Sequence, residues 1–472
     1  MKQYKSLKDI QADLSTGLMT LPELVSMYLN NIETNNTKLN ALIEVYGEEA
    51  IERAHHIQSK YNKGEAGKLA GMVVSIKDNI CFKGHQSSAS SLILQGFESL
   101  FSATAIERIL AEDAIIIGRS NCDEFAMGAS NETSTYGPVL NAINTLKVSG
   151  GSSGGAAVSV QANMCLAALG SDTGGSVRQP ASFCGLVGYK PTYGAVSRWG
   201  LIAYASSFDI IGPITHSVVD TTTIMKVISG PDNHDATALN KKVVNDATEI
   251  SAKKFKLAYF KEAIMSEGIE PAVKKQTLAF IDKLKQMGHE VREVSFPYLD
   301  VLVPVYYTLT TAEASSNLSR FAGMHYGKRS NQAKDLETTV KHSRTEGFGA
   351  EVKRRIMTGT FVLSSGYYDA YYSKAQKVRR LVKNYTDSLL QEVDFIVSPT
   401  SPTVAFGIGE KASNPLAMYL ADIFTVHANI TGNPAISIPF GEDETGMPIG
   451  MQLMASRCND AQLLAFSEHI TA

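Results

Sequence analysis

One tryptophan and five cysteines are all that 472 residues carry of those two types. The cysteines, at positions 81, 122, 165, 184 and 458, form no C-x-x-C pair and no zinc-ligand spacing, and their odd number suits a reduced cytosolic protein better than a disulfide scaffold. Charge is also sparse. Asp, Glu, Lys and Arg make up 19%, and 44 basic against 47 acidic residues leave a net charge of −3, which argues against a protein that grips nucleic acid through its own overall field. No stretch reaches the ~18 uninterrupted apolar residues of a membrane span. The best candidate, Ala156 to Leu169, is interrupted by Ser159, Gln161 and Asn163 and reads as a buried helix. The opening MKQYKSLKDIQADL alternates charge and lacks the apolar core of a signal peptide. The adjacent His55 and His56 would point to different faces of a helix, so no metal is expected. These absences predict a cytoplasmic protein without metal or membrane segment.

What is present is a foldable core. Apolar residues make up 44%, which excludes wholesale disorder, and the length suggests about three domains unless one large α/β unit takes it all. Thr20, Pro22 and Glu23 form a capping box with proline in the first turn, and Leu21, Leu24, Val25, Tyr28, Leu29 and Ile32 follow at helical spacing. A second helix is predicted from Glu48 to Tyr61. From about residue 69, short apolar runs such as GMVVSI and AIIIG alternate with helical patterns such as AIERILAE, which predicts a mostly parallel sheet with helices on its faces. The polar segment 231–254 reads as a surface excursion. KLAYF, EVREVSF, VDFIVSPTSPT and AISIPFG read as strands, and 271–287 and 460–471 as helices.

The chemistry concentrates where glycine and serine do. Gly150-Gly151-Ser152-Ser153-Gly154-Gly155 and Gly170-Ser171-Asp172-Thr173-Gly174-Gly175-Ser176 lie within an apolar stretch, so they are tight backbone turns inside a core. Such turns let successive N–H groups converge on an anion, as the oxyanion of an acyl transfer requires. Gly150 to Gly154 formally matches G-x-S-x-G, but no later histidine sits in a convincing strand-end loop to complete that type of triad. A dinucleotide fingerprint and a Walker A sequence are both missing. Lys77 follows the run GMVVSI. Buried there, it would have a depressed pKa and could serve a serine nucleophile as base; exposed, it would be an ordinary solvated strand-end lysine.

GMVVSIKDNI, GGSSGG and GSDTGGSVRQPASFCGLVGYKPTYG together resemble the amidase signature family. The resemblance implies a Ser–cis-Ser–Lys triad with Ser176 as nucleophile, Ser152 as the bridging serine after a cis peptide, and Lys77 as base. It also implies an oxyanion hole from the N–H groups of Thr173, Gly174, Gly175 and Ser176. Ser153 and Ser171 read as turn residues, Asp172 and Arg178 as a pair that holds the loop, and Cys184 as a buried inert thiol. The implied fold is α/β: a large mixed twisted sheet covered by helices on both faces, in a single domain over 1–472. Within it, 1–66 is a helical N-terminal region, 67–220 the signature core and 221–472 the part that completes the sheet and the substrate pocket.

Further stretches, among them DEFAMGASNET, RWGLIAYASSFDIIGPI, EVKRRIMTGTFVLSSGYYDAYYSKAQKVR and ADIFTVHANITGNPAISIPFG, resemble one branch of that family, the glutaminase subunits of aspartyl/glutamyl-tRNA amidotransferases. That implies glutamine as substrate, with Asp422 taking its α-amino group, Arg355 (or Arg354) its α-carboxylate, and Tyr306 or Tyr307 closing the pocket. It implies a heterotrimer with a transferase subunit and a third, small subunit, tRNA held mainly by the transferase, and no cofactor in this chain, ATP and Mg²⁺ being used by the partner. The acceptor, Glu-tRNA(Gln), Asp-tRNA(Asn) or both, is left open. The basic residues from Lys353 to Lys383 read as a solvated helix surface with one substrate-binding arginine. The branch usually has Arg-Val-Pro before the first glycines, where this chain has Lys147-Val148-Ser149.

Overall fold

The computed structural model describes residues 2–244, 253–266, 268–411 and 414–471. The chain begins with α1 (Leu7–Ser15), α2 (Leu21–Leu39), β1 (Leu42–Val45) and α3 (Gly47–Asn62). β2 (Val73–Lys77), α4 (Thr104–Ala111), β3 (Ile115–Ser120), α5 (Gly154–Gln161), β4 (Ala167–Asp172) and α6 (Arg178–Phe183) follow, then β5 (Val187–Lys190), β6 (Ile210–Thr215) and α7 (Val218–Ile228). The second half adds β7 (Lys256–Phe260), α8 (Lys261–Met265), α9 (Pro271–Gln286) and β8 (Glu290–Val294), and a run of helices: α10 (Leu299–Asn317), α11 (Leu336–Gly347), α12 (Ala350–Val362) and α13 (Lys374–Glu392). It closes with β9 (Phe395–Pro399), α14 (Pro415–Leu420), α15 (Val426–Thr431), β10 (Ala435–Glu442), β11 (Pro448–Ala455) and α16 (Asp460–Thr471).

All the strands among the described residues join in one eleven-stranded sheet of order β1-β3-β2-β4-β6-β5-β10-β11-β9-β7-β8. It is mixed. β3, β2 and β4 run parallel, as do β9, β7 and β8, but the centre from β4 through β6, β5, β10 and β11 to β9 is antiparallel throughout. The expectation of a mostly parallel sheet therefore holds only for these two three-strand groups, since the edge strand β1 is also antiparallel to β3. In the centre, β5 and β6 are joined by a loop and β10 and β11 by a tight turn, with no crossover helix to bring the chain back in the same direction.

Alternation along the strands divides the interior into two cores. In β7, Leu257 faces one core, and Ala258 and Phe260 face the other; in β11, Leu453 and Ala455 face the first and Met454 the second. Residues of β2, β3, β4, β6 and β9 are buried throughout, as strands covered on both faces must be. The edge strand β8 shows partial exposure along its length.

Local signals explain most of the elements. The Thr20–Glu23 capping box forms, with Thr20 N–H donating to Glu23 Oε2 at 2.8 Å and Glu23 N–H to Thr20 Oγ1 at 3.4 Å. α1 is an element that the residue pattern does not announce, although Ser6 caps it by accepting from Asp9 N–H and Leu7, Ile10 and Leu14 bury one face. The apolar run from Ala156 to Leu169 is not one helix: α5 ends at Gln161, and β4 starts at Ala167. Asn163 makes the break, in a left-handed conformation at φ +53° that ends helices readily. β11 is likewise hidden in the sequence, because PIGMQLMA holds a single β-branched residue. Segment 231–254 is not wholly a surface excursion: Asp235 is buried and paired to Arg198 at 2.8 Å, and Val243 and Val244 are buried. Residues 245–252 of it lie outside the described residues.

The break at Asn163 is testable. Asn163→Gly should leave thermal stability nearly unchanged, whereas Asn163→Val should cost about 1–2 kcal/mol, the penalty of a left-handed conformation for a branched residue. A thermal-unfolding midpoint equal for the two variants would contradict this account.

Candidate active site

β2 and β4 are parallel neighbours, so their C-terminal ends open side by side. Lys77 is the last residue of β2, and the loop 173–177 leaves β4 directly after Asp172. The third component is the turn before α5, where the Gly151–Ser152 peptide is cis. Gly151 is required by crowding: a Cβ there would lie 2.1 Å from Asp123 Oδ2 and 2.7 Å from Ser130 N. Gln179 fixes this turn from the other side, accepting from Gly151 N–H at 2.9 Å while donating to Ala129 O at 2.9 Å.

Lys77 is fully buried, so the solvated alternative is excluded. Its Nζ donates to Ser152 Oγ at 2.7 Å, Ser153 Oγ at 2.9 Å and Ser171 Oγ at 3.0 Å. No carboxylate pairs with it; Asp123, Asp172 and Asp209 act only from a distance. Burial therefore dominates and brings its pKa down to about 8, against the weaker opposing pull of Cys122 and these carboxylates. Ser153 and Ser171 are more than turn residues, since both hydroxyls hold the lysine. Ser153 also donates to Ser171 O at 3.1 Å, and Asn79 Nδ2 donates to Ser171 Oγ at 3.0 Å.

Ser176 sits on the far side of the same turn, with its carbonyl accepting from Ser153 N–H at 3.1 Å. Its hydroxyl has no hydrogen-bond partner among the described residues and does not reach Ser152. In the loop before it, the N–H groups of Thr173, Gly174 and Ser176 likewise have no partner among the described residues. Gly175 departs from the anticipated set, because its N–H is donated to Asp172 Oδ1 at 2.9 Å. A hydroxyl beside several free N–H groups is an arrangement suited to attack on a carbonyl whose oxygen becomes an anion.

Asp172 and Arg178 shape this loop. Both are wholly buried, and Arg178 Nε and Nη2 reach the two carboxylate oxygens at 3.0 Å each. The remaining guanidinium protons go to Thr425 O, Gln452 Oε1 and Asn429 Oδ1. Burial pushes the Asp172 carboxyl up, but Arg178 and the Asn429 amide more than offset this and hold it at about 2. Cys184 is buried, and burial pushes its thiol well up, as an inert core cysteine requires.

The anticipated ligand-binding residues lie on the helices that cover the loop. Arg355 is nearly enclosed at 4% side-chain exposure, whereas Arg354 is 51% exposed. Arg355 donates to Glu351 Oε1 at 2.9 Å and Tyr204 Oη at 2.9 Å, with Tyr204, Tyr307 and Tyr419 around its guanidinium. Tyr307 stacks on Tyr419 and reaches Asp422 Oδ2 at 3.5 Å, so it is Tyr307 that joins Arg355 to Asp422. Tyr306 lies instead beneath the serine loop, where a Cβ on Gly174 would be 2.5 Å from its hydroxyl. Burial pushes the Asp422 carboxyl up to about 8, with Arg355 opposing. A cavity of about 330 Å³ is lined by Arg355, Tyr419, Met127, Gly128, Ala129 and Ser130, and Ser130 is one of the residues crowded against Gly151.

Tyr204 and Tyr419 carry no signal in the sequence, whereas Glu351 stands at the i,i+4 spacing from Arg355 that favours an ion pair on a helix. Tyr204 lies in a stretch of small residues 151 positions before Arg355, and no local pattern could have paired them. At the departure from Arg-Val-Pro, Ser149 Oγ donates to Gly150 O at 2.9 Å and Val148 N–H to Phe406 O at 2.9 Å, so the glycine turn is still anchored. No group of His, Cys, Asp and Glu among the described residues could hold a metal ion, and no described helix is long and apolar enough to cross a membrane.

A family model described as Amidase matches residues 23–464. The A-type subunit of the glutamyl-tRNA(Gln) amidotransferase of Chlorobaculum tepidum is 47% identical, over 99% of this chain and 98% of that one. The crystal structure of the corresponding A-type subunit of the glutamyl-tRNA(Gln) amidotransferase from Thermotoga maritima matches with TM-score 0.77 and 40% identity, covering 94% of this chain and 89% of that one. A structure described as revealing the evolutionary origins of an s-triazine catabolic enzyme superposes with TM-score 0.85 at 26% identity, over 99% and 98% of the two chains.

The loop-holding pair makes a prediction of its own. Arg178→Met should destabilise the protein by about 3–5 kcal/mol, because it strands a buried carboxylate. The double variant Asp172→Asn/Arg178→Met should recover part of the loss. Thermal unfolding of the single and double variants checks both, and a single variant as stable as the parent would contradict the assignment.

Proposed function

The chain belongs to the amidase family, and from that membership and the arrangement around Lys77 we infer that it is the glutamine-hydrolysing subunit of a tRNA-dependent amidotransferase. It works as part of a ligase that forms carbon–nitrogen bonds with glutamine as amido donor. The full-length similarity to the named amidotransferase subunits supports the branch. The observation that carries the chemistry is Lys77, dry, without a counter-ion and held 2.7 Å from Ser152 Oγ.

In this reading neutral Lys77 takes the proton of Ser152 as Ser152 takes that of Ser176. Ser176 Oγ bonds to the side-chain carbonyl carbon of glutamine, and the oxyanion is received by the free N–H groups of Thr173, Gly174 and Ser176, with Gly175 joining only if its bond to Asp172 is shared. The carbon–nitrogen bond then breaks, and the proton returns through Ser152 to the leaving nitrogen, which departs as ammonia. Water attacks the acyl-enzyme by the same relay, releasing glutamate and restoring Ser176. The relay needs Ser176 Oγ and Ser152 Oγ within hydrogen-bond reach of each other during attack.

Arg355 holds the α-carboxylate through charge-assisted hydrogen bonds, and Asp422 the α-ammonium, with Tyr307 fixing the distance between them. Tyr306 supports the loop from below. Ammonia passes to a transferase subunit, which binds the tRNA and uses ATP and Mg²⁺ to activate its acyl group, with a third, small subunit completing a cytoplasmic heterotrimer. This chain itself supplies no cofactor.

Glutamine hydrolysis by the assembled complex, assayed with charged tRNA, should fall at least ~10³-fold in Ser176→Ala and in Lys77→Ala. Unchanged transamidation in Ser176→Ala would refute the mechanism, and strong activity of the isolated chain on small amides, with no gain from copurified partners, would refute the subunit assignment. The pH dependence has a definite sign. Burial lowers the Lys77 pKa to about 8, so the active, neutral form accumulates as pH rises, and kcat/KM should climb through about pH 8 to a plateau. A profile flat from pH 6 to 9 would contradict the role of Lys77. Asp422, protonated near pH 7 because burial raises its pKa to about 8, should ionise when the ammonium of glutamine docks. Calorimetry in buffers of different ionisation enthalpy should register that released proton with the parent and not with Asp422→Asn.

A further inference from the structure

Asp209 is buried beside the nucleophile loop, yet the mechanism above gives it no part. It precedes β6, whose first residue pairs with Asp172 of β4. Its Oδ1 accepts from Thr173 Oγ1 at 2.6 Å, and its Oδ2 from the N–H groups of Tyr204 and Ala205 at 3.0 Å each. One carboxylate thus joins the loop that carries the free N–H groups to the backbone that carries Tyr204. The Tyr204 hydroxyl accepts from Arg355 Nη1 at 2.9 Å and donates to Thr310 Oγ1 at 2.9 Å. Thr310 Oγ1 donates in turn to Tyr306 O at 2.9 Å, and the Tyr306 ring lies against Gly174. Two buried routes therefore lead from Arg355 to the same loop, one ending at Thr173 and the other at Gly174. Both routes run through the interior, since Thr173, Tyr204, Asp209, Tyr306 and Thr310 are all at most 3% exposed.

We propose that Asp209 is a positioning residue that couples the α-carboxylate pocket at Arg355 to the oxyanion-binding loop, so that engagement of the substrate's carboxylate sets the N–H groups that receive the oxyanion. The proposal rests on the glutaminase reading. In energetic terms, binding at a non-reacting part of the substrate appears as rate and not as affinity. Asp209 touches no reacting atom; it acts through Thr173.

The test compares glutamine with 4-aminobutanamide, which keeps the amino group and the carboxamide but lacks the α-carboxylate, using the assembled complex. The parent should show a larger kcat for glutamine. Asp209→Asn should reduce the ratio of the two kcat values about tenfold or more, the scale of a loop displaced by a fraction of an ångström, with KM for glutamine changed little. Thr173→Val, which removes the hydroxyl and keeps the N–H, should reduce the ratio similarly, and Thr173→Ser should restore it. The double variant Asp209→Asn/Thr173→Val should be no worse than the more impaired single one. Equal losses for both substrates, leaving the ratio at the parent value, would overturn the proposal, as would a loss confined to KM. If Asp209→Asn does not fold, the Thr173→Val and Thr173→Ser pair decides. A parent complex that hydrolyses no glutamine would instead fail the underlying reading.

Discussion

Everything at the site depends on where one buried carboxylate spends its charge. Asp172 lies at the end of β4, close enough to raise the pKa of Lys77, and a free carboxylate there would hold the lysine as an ammonium. It is instead engaged by Arg178, whose five N–H groups are all satisfied by Asp172, Thr425, Asn429 and Gln452. A buried pair repays its desolvation only when its remaining hydrogen bonds are met in this way. The lysine is left with neutral partners alone, three serine hydroxyls and the Ser171 carbonyl, and so with a proton it can lose near neutral pH.

The same pair organises the loop. Asp172 accepts from the N–H groups of Gly175 and Val177 as well as from Arg178, which folds residues 173–177 into a turn over its carboxylate. The N–H groups not drawn inward, those of Thr173, Gly174 and Ser176, are the ones left for a ligand. Stability and chemistry therefore divide the backbone between them, and a dry lysine with no counter-ion is the destabilising element that the rest of the core offsets.

The serine and glycine clusters are legible in the sequence because their meaning is local: tight turns, a hydroxyl and convergent N–H groups all follow from adjacent residues. Lys77 is legible only through the long motif around it, since its burial depends on neighbours that the local sequence does not reveal. Arg355 and Asp422 can be named, but choosing between adjacent residues needs the helix faces: one turn of α12 buries Arg355 and leaves Arg354 in solvent, and α10 turns Tyr307 toward Asp422 and Tyr306 toward Gly174. Tyr204 and Asp209 are beyond reach, because each acts through contacts that only the assembled fold creates. At the level of elements, the helix–strand alternation identifies the class but not the strand directions, because direction follows from the connections, and the central strands return through loops and a turn.

The partners of Arg178 come from the far end of the chain, at positions 425, 429 and 452. Synthesis runs from the N-terminus at about 5–20 residues per second, so Ser152, Ser176 and Lys77 all leave the ribosome long before the groups that lock their loop. The loop can fold over Asp172 early, but Arg178, which holds that carboxylate, lacks its Gln452 partner until β11 emerges. The loop made early is thus locked by groups made last, so the two ends of the chain meet at one guanidinium.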